Sequence, residues 1–220
     1  MDLLSILFIV LGAIAAYLIG SFPTAVWLGE GYYGIDVRHY GSGNAGATNT
    51  FRVLGKKAGT IVMLLDITKG FTAAQLASIL ALMGWVNADF LTFYKLIFGI
   101  LAIVGHIFPI YTNFKGGKGV ATLLGMALAI EPEVALVCIG IFFVVLLASR
   151  YVSLGSMIAA LAFPLLLLLP RFSPDTPLLI IFGFALFAVV VLTHQKNIRR
   201  LIHGEENKTY LLRNRRNRDH

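Results

Sequence analysis

The chain has 220 residues, of which 58% are hydrophobic and only 13% charged, with a formal charge of +7; its mean hydropathy is +0.82. A soluble domain carries about a quarter charged residues, so this composition excludes an ordinary water-soluble globule and makes lipid the main solvent. The basic excess does not by itself indicate nucleic acid, because Lys and Arg collect in the cytoplasmic loops of membrane proteins, and the single cysteine, Cys138, excludes an internal disulfide and reads as a small apolar filler.

An apolar run over 3–22 opens the chain. Asp2 precedes it and no Lys or Arg does, so the basic leader of a signal peptide is missing and the run reads as a retained first span. Further runs follow at 58–82, 91–111, 119–130, 134–148, 153–169 and 178–193. A helix needs about 20 residues to cross a ~30 Å hydrocarbon core. The run at 119–130 is too short and that at 134–148 is marginal, so they read as half-helices sheltered by their neighbours. The predicted fold is an all-α polytopic membrane helix bundle of about seven transmembrane segments, in one domain over 1–206 with a basic tail over 207–220. The longest non-apolar segment, 29–57, reads as a long functional loop.

Orientation follows from charge. With the N-terminus outside, the inner loops and tail hold Arg38, Arg52, Lys56, Lys57, Lys115, Lys118, Arg150, Lys196, Arg199, Arg200, Lys208, Arg213, Arg215, Arg216 and Arg218, fifteen of the eighteen Lys and Arg. The outer turns 85–89, 131–133 and 171–175 are neutral or acidic apart from Arg171. This predicts an outer N-terminus and a cytoplasmic C-terminus. Lys95, near the outer boundary, is placed to snorkel. Asp66 and Lys69 lie three apart on one helix face and read as a mutual ion pair, with support of a polar pocket as the alternative.

Four polar stretches carry the chemistry, all on the predicted inner side. The first, 41–50, reads Gly-Ser-Gly-Asn-Ala-Gly-Ala-Thr-Asn-Thr. Its spacing matches a dinucleotide fingerprint, with Asp66 twenty residues after Gly46, but no buried strand precedes it and Asp66 lies in a lipid-facing run. The local physics survives. Glycines let backbone amides approach an anion, Ser42, Asn44, Thr48 and Asn49 add donors, a helix starting near Asn44 would add its dipole, and Arg52 is placed to clamp a phosphate. The second stretch holds His106 in Gly-His-Ile-Phe-Pro, then Phe114-Lys115-Gly116-Gly117-Lys118-Gly119. It is not a Walker A loop, since Thr112 and Gly119 stand where that loop needs glycine and Ser/Thr. Two lysines still frame a glycine pair before a short helix, where phosphate is favoured; His106 reads as a hydrogen-bonded structural histidine. The third, Arg150-Tyr151-Val152-Ser153-Leu154-Gly155-Ser156, offers Ser153 either as an anion donor or as a helix cap. The fourth places His194 and Asn197 on one helix face, followed by Arg199 and Arg200, which also suit anionic lipid heads. No cluster of His, Cys or carboxylates suggests a metal or cofactor.

In this order, Gly-Ser-Gly-Asn-Ala-Gly-Ala-Thr-Asn-Thr-x-Arg at 41–52, Gly-His-x-Phe-Pro and Phe-Lys-Gly-Gly-Lys-Gly-Val-Ala-Thr within 105–122, Arg-Tyr-Val-Ser-Leu-Gly-Ser at 150–156 and His-x-x-Asn-Ile-x-Arg-Leu at 194–201 resemble the integral-membrane acyl-phosphate:glycerol-3-phosphate acyltransferases of bacteria. The resemblance covers nearly the whole chain. It implies a multi-pass enzyme of the bacterial cytoplasmic membrane, working on the cytoplasmic side. The reaction implied is transfer of the acyl group of a fatty acyl phosphate to the 1-hydroxyl of sn-glycerol 3-phosphate, giving lysophosphatidate and inorganic phosphate, with no metal. The expected catalytic residues are His194, Asn197 and Ser42, and the expected binding residues are Ser42, Gly43, Asn44, Arg52, Lys115, Gly116, Gly117, Lys118 and Ser153. A His-x-x-x-x-Asp dyad is absent: Asn44, Tyr111, Arg199 and Lys208 stand five residues after His39, His106, His194 and His203. Catalysis is therefore expected from positioning and electrostatics, with the hydroxyl proton passing to His194 or to a substrate phosphate oxygen. The competing class is a transporter or exchanger of an organic phosphate, which predicts midplane charges and symmetric halves.

Overall fold

The structure is a computed structural model describing residues 2–174 and 176–209. The basic positions Arg213, Arg215, Arg216 and Arg218, and Asp175 of an outer turn, lie outside the described residues. Among those described there are ten α-helices and no strand: α1 (Leu3–Ser21), α2 (Thr24–Tyr33), α3 (Ala47–Val53), α4 (Lys56–Leu82), α5 (Leu91–Ile107), α6 (Val120–Ile130), α7 (Pro132–Ser149), α8 (Val152–Leu166), α9 (Leu178–Thr193) and α10 (Gln195–Ile202).

Local chemistry sets several boundaries. The Asp2 carboxylate caps α1 by accepting the Ser5 N–H at 2.8 Å, and Phe22-Pro23 ends it. Pro132 begins α7, where its missing N–H costs nothing. For this reason the run read as marginal over 134–148 is an 18-residue helix that starts two residues earlier. The expected long loop over 29–57 is also corrected. It overlaps α2, contains α3 and holds a 3-10 turn, Val37–His39. Ala25, Val37 and Val62 form a small core there, with Leu28, Ala47 and Leu54 packed around it. These apolar anchors are too widely spaced to read as a run.

Leu3–Ser21, Ala88–Thr112 and Pro132–Ser149 are each long and apolar enough to cross a membrane, and α9 with α10, bent by 64°, makes a fourth, broken stretch. The helices α6 and α8 are apolar but shorter. The seven expected apolar runs correspond to α1 and α4 through α9. Much of the surface is greasy: Leu3, Leu7, Leu11 and Ile14 of α1 and Leu136, Val144 and Leu147 of α7 are exposed, as suits a lipid solvent.

Backbone-close helix contacts hold the bundle together. A Cβ on Gly70 of α4 would land on the Thr122 carbonyl of α6, and one on Gly125 of α6 would land on the Ile67 carbonyl of α4. The α1–α5 contact repeats the device, with Gly20 against Ala102 and Gly105 against the Tyr17 carbonyl. Where lipid is as apolar as leucine, such small-residue contacts carry helix association. Lys95 does not snorkel: its ammonium donates to the Ala129 carbonyl at 3.1 Å, capping the short α6.

Gly70→Val should lower stability by about 1–3 kcal/mol, because α4 and α6 must separate, whereas Gly140→Ala, where the space around the Cβ is open, should be neutral or slightly stabilising. Thermal melts in detergent check both.

Candidate active site

All four polar stretches meet at one end of the bundle. Helices α1, α5, α7 and α9 end there, and α4, α6 and α8 begin there. The Tyr17 hydroxyl of α1 donates to the Phe108 carbonyl beyond α5 at 2.9 Å. The Thr209 N–H donates to the Arg150 carbonyl between α7 and α8 at 2.8 Å.

The glycine loop at 41–46 is organised from inside by Asn49, which is 1% exposed. Its side-chain oxygen accepts the Ser42 N–H at 2.8 Å, and its amide donates to the Val37 and Tyr40 carbonyls at 2.8 and 3.1 Å. Gly41, at φ 62, folds so closely over Asn49 that a Cβ would overlap its oxygen. Two expectations are corrected here. Asn49 is consumed by this network and is no anion donor. The Ser42 and Gly43 amides are bonded internally as well, the latter to the Tyr40 carbonyl at 3.1 Å, so they form no anion nest. The Ser42 side chain remains exposed. The helix expected near Asn44 is α3, starting at Ala47 with Gly46 as its cap.

The lysine loop follows two consecutive left-handed residues, Asn113 (φ 52) and Phe114 (φ 58). Non-glycine residues hold that conformation only under constraint. The Lys115, Gly116 and Gly117 amides donate to the Thr112, Ile107 and His106 carbonyls at 3.2, 3.2 and 3.1 Å. The glycine pair therefore serves close packing onto the end of α5, and its amides are not free for phosphate. Lys115 is exposed. His106 is buried as expected, but its Nδ1 has no hydrogen-bond partner, which corrects the reading of a hydrogen-bonded histidine.

Lys118 reaches the fourth stretch and donates to Asn197 Oδ1. The other side of that amide donates to Glu206 Oε1 at 2.8 Å. Ser153 Oγ donates to the same oxygen at 3.3 Å, so Ser153 is not a cap; Tyr151 occupies the cap position of α8. Arg200 Nε lies 3.3 Å from Glu206 Oε2, an ion pair too poorly aligned to count as a hydrogen bond. Arg52 stands exposed beside this cluster, within electrostatic reach of Glu206 and Arg200. Burial pushes the Lys118 ammonium down to about 8, with Arg200 and Arg52 adding to the effect and Glu206 opposing it. His194 is buried, and its Nδ1–H donates to the Val190 carbonyl at 2.7 Å. A carbonyl only accepts, so this bond places the proton on Nδ1 and leaves Nε2 as the basic nitrogen.

Lys118, Asn197, Ser153 and Arg52 therefore share one cluster. Gly43, Lys115 and Gly116 line a neighbouring open cavity of about 440 Å³ with Asp36, Arg38, His39, Thr112 and Asn113. Asn44 lies in the loop between them, its side-chain oxygen beside Gly46. Two residues of this mouth were missed from sequence. Glu206 lies beyond the recognisable His-x-x-Asn spacing, in a polar segment that suggests only solvent. Arg38 donates to both Asp36 oxygens at 2.7–3.0 Å and to the Thr112 carbonyl at 3.3 Å, and hydrogen bonding from Arg38 holds the Asp36 carboxyl below its ordinary value. It had been counted only as an inner-loop charge. Lys208, at the start of the basic tail, lies 5.9 Å over the Tyr151 ring, next to the Thr209–Arg150 bond.

A family model described as glycerol-3-phosphate acyltransferase matches residues 10–204. A glycerol-3-phosphate acyltransferase of Chlorobaculum tepidum is 41% identical over 89% of this chain and 94% of its own. One of Enterococcus faecalis is 43% identical over 91% of each. The crystal structure of PlsY, an integral membrane glycerol 3-phosphate acyltransferase, in its glycerol 3-phosphate form, superposes with a TM-score of 0.81 at 35% identity, covering 93% of this chain and 96% of that one. Its lysophosphatidic acid form superposes with a TM-score of 0.78.

Glu206→Ala would leave Lys118 and Arg200 without their shared acid. It should cost about 3 kcal/mol of stability, measured as a lower melting temperature in detergent, and the loss should shrink at high salt.

Proposed function

We propose that this chain, which belongs to the glycerol-3-phosphate acyltransferase family, takes its acyl group from a fatty acyl phosphate. The acceptor is the 1-hydroxyl of sn-glycerol 3-phosphate, and the products are lysophosphatidate and inorganic phosphate. The observation that carries this reading is the chain of contacts from Lys118 through Asn197 and Glu206 to Ser153. It gathers three distant stretches into one cationic mouth, beside the cavity that Arg38 and Lys115 line. The forms in which the related structure was solved, with glycerol 3-phosphate and with lysophosphatidic acid, agree with one reactant and one product of such a transfer.

In this mechanism Arg52, Lys115 and Lys118 neutralise two phosphates, and Ser42, Ser153 and Asn197 orient them, with Gly43, Asn44, Gly116 and Gly117 shaping the loops around the reactants. The hydroxyl oxygen attacks the acyl carbon, the new C–O ester bond forms and the bond from carbon to the phosphate oxygen breaks. Phosphate leaves without metal help, being a good leaving group on an already activated acyl group. The proton of the hydroxyl passes to a substrate phosphate oxygen, and His194 acts as a binder. Bringing two anions side by side in a cation-lined mouth is itself the larger part of the catalysis. Seven crossings, an outer N-terminus and a cytoplasmic active end complete the proposal, supported by the basic residues gathered at that end. A phosphate exchanger would place its charges at the midplane between matching halves; here most of the described cationic residues stand at one end, Lys69, Lys95 and Arg171 apart.

Purified protein in detergent, given acyl phosphate and glycerol 3-phosphate, should release phosphate with no second compartment; absence of turnover favours the exchanger. In that assay His194→Gln should keep kcat near the parent value, and a loss of about four orders of magnitude would instead make His194 the general base. The charged form of Lys118 predominates below about 8, so kcat/KM for glycerol 3-phosphate should fall as pH rises through that value. Lys118→Arg, which stays charged, should move this alkaline limb upward.

A further inference from the structure

We propose that the buried Asp66–Lys69 pair is a positioning device for the lysine loop, acting through His106 to set where Lys115 and Lys118 meet phosphate. The inference rests on the reading of those two lysines as phosphate ligands.

Asp66 and Lys69 are 1% and 7% exposed and 2.9 Å apart. A buried pair of this kind is a weak source of stability, because apolar replacements of similar volume often serve as well. Its partners instead indicate what it organises. The Thr24 hydroxyl of α2 donates to Asp66 Oδ1. The Lys69 ammonium donates to the Phe22 carbonyl at the α1–α2 corner at 3.1 Å. From α5, His106 Nδ1 faces Asp66 Oδ1 at 3.7 Å and has no other partner.

His106 is also the floor of the lysine loop. Its carbonyl accepts the Gly117 N–H at 3.1 Å, and the carbonyl beside it, of Ile107, accepts the Gly116 N–H at 3.2 Å. Its ring fills the space that a Cβ on residue 117 would need, and its carbonyl fills that of residue 116. Lys69, Thr24 and His106 surround one small void together with Ala45, Gly116 and Gly117, so both glycine-rich stretches touch the cluster. Lys115 and Lys118 flank the two glycines directly. A shift of the His106 ring moves the glycine pair, and with it both ammonium groups. Displacements of about 1 Å are enough to cost large factors in a site that works by positioning.

Lys69→Ala is a poor probe, because it strands a buried carboxylate and risks unfolding. The test uses the double variant Asp66→Asn/Lys69→Met, which removes both charges at similar volume, and Lys69→Arg, which keeps the cation. Each is purified in detergent and examined for melting temperature, for the Kd of glycerol 3-phosphate by calorimetry without acyl donor, and for KM of both substrates. The expected result is a double variant that melts near the parent, binds glycerol 3-phosphate at least about tenfold more weakly and changes less in KM for acyl phosphate, with Lys69→Arg recovering most of the affinity. An unchanged Kd overturns the proposal. So does a loss that affects both substrates alike and follows the melting temperature, because the pair would then merely hold helices together. A parent protein that binds glycerol 3-phosphate but does not turn over acyl phosphate removes the donor assignment and leaves this test standing. One that binds no glycerol 3-phosphate overturns the inference with the reading beneath it.

Discussion

Lys118, Arg52 and Arg200 repel one another at one end of the bundle, and Glu206 is how this fold contains that repulsion. Its carboxylate sits against the Asn197 amide and the Ser153 hydroxyl, with Arg200 on its other oxygen and Lys118 on the far side of the Asn197 amide. Without an acid at that point, Lys118, Arg52 and Arg200 would crowd one mouth with no local anion, in a setting where burial already disfavours charge. The segment that supplies Glu206 continues to Thr209, which closes back onto the Arg150 carbonyl. The far C-terminal part of the described chain is thereby tied to the turn between α7 and α8.

The two glycine-rich stretches do different work from the one their composition suggests. Several of their amides are occupied: Ser42 by Asn49, Gly43 by Tyr40, and Gly116 and Gly117 by the carbonyls ending α5. What glycine supplies here is nearness. The loop over Asn49 and the loop over His106 both lie where any side chain would collide. The loops are held down, and the polar groups exposed at this mouth include the Ser42, Arg52 and Lys115 side chains.

The same use of nearness runs through the bundle. Gly70 with Gly125 and Gly20 with Gly105 bring backbones together at the α4–α6 and α1–α5 crossings. The short α6 is fixed at its end by the Lys95 ammonium. Because α6 begins just after Lys118, whatever fixes α6 along its axis also fixes that lysine. Packing and chemistry are thus joined through a helix of 11 residues.

Run length and hydropathy were sufficient to locate seven apolar helices, and motif order was sufficient to name the family, because lipid solvation and motif spacing are both local properties of the chain. Charge counting placed the polar stretches on one side for the same reason. Boundaries set by single residues were less legible. Pro132 lengthened α7, and the scattered anchors Ala25, Val37 and Val62 turned an expected loop into helices. Partner choice was not legible at all. Nothing near Asn49 in the sequence says that it is spent holding its own loop, nothing near Glu206 says that Ser153 lies beside it, and Asp66 gives no sign of facing His106. Asn49 bonds within its own loop, 7 to 12 positions away, but the other two meetings join residues tens of positions apart, and only the close approach of distant segments decides which polar group meets which.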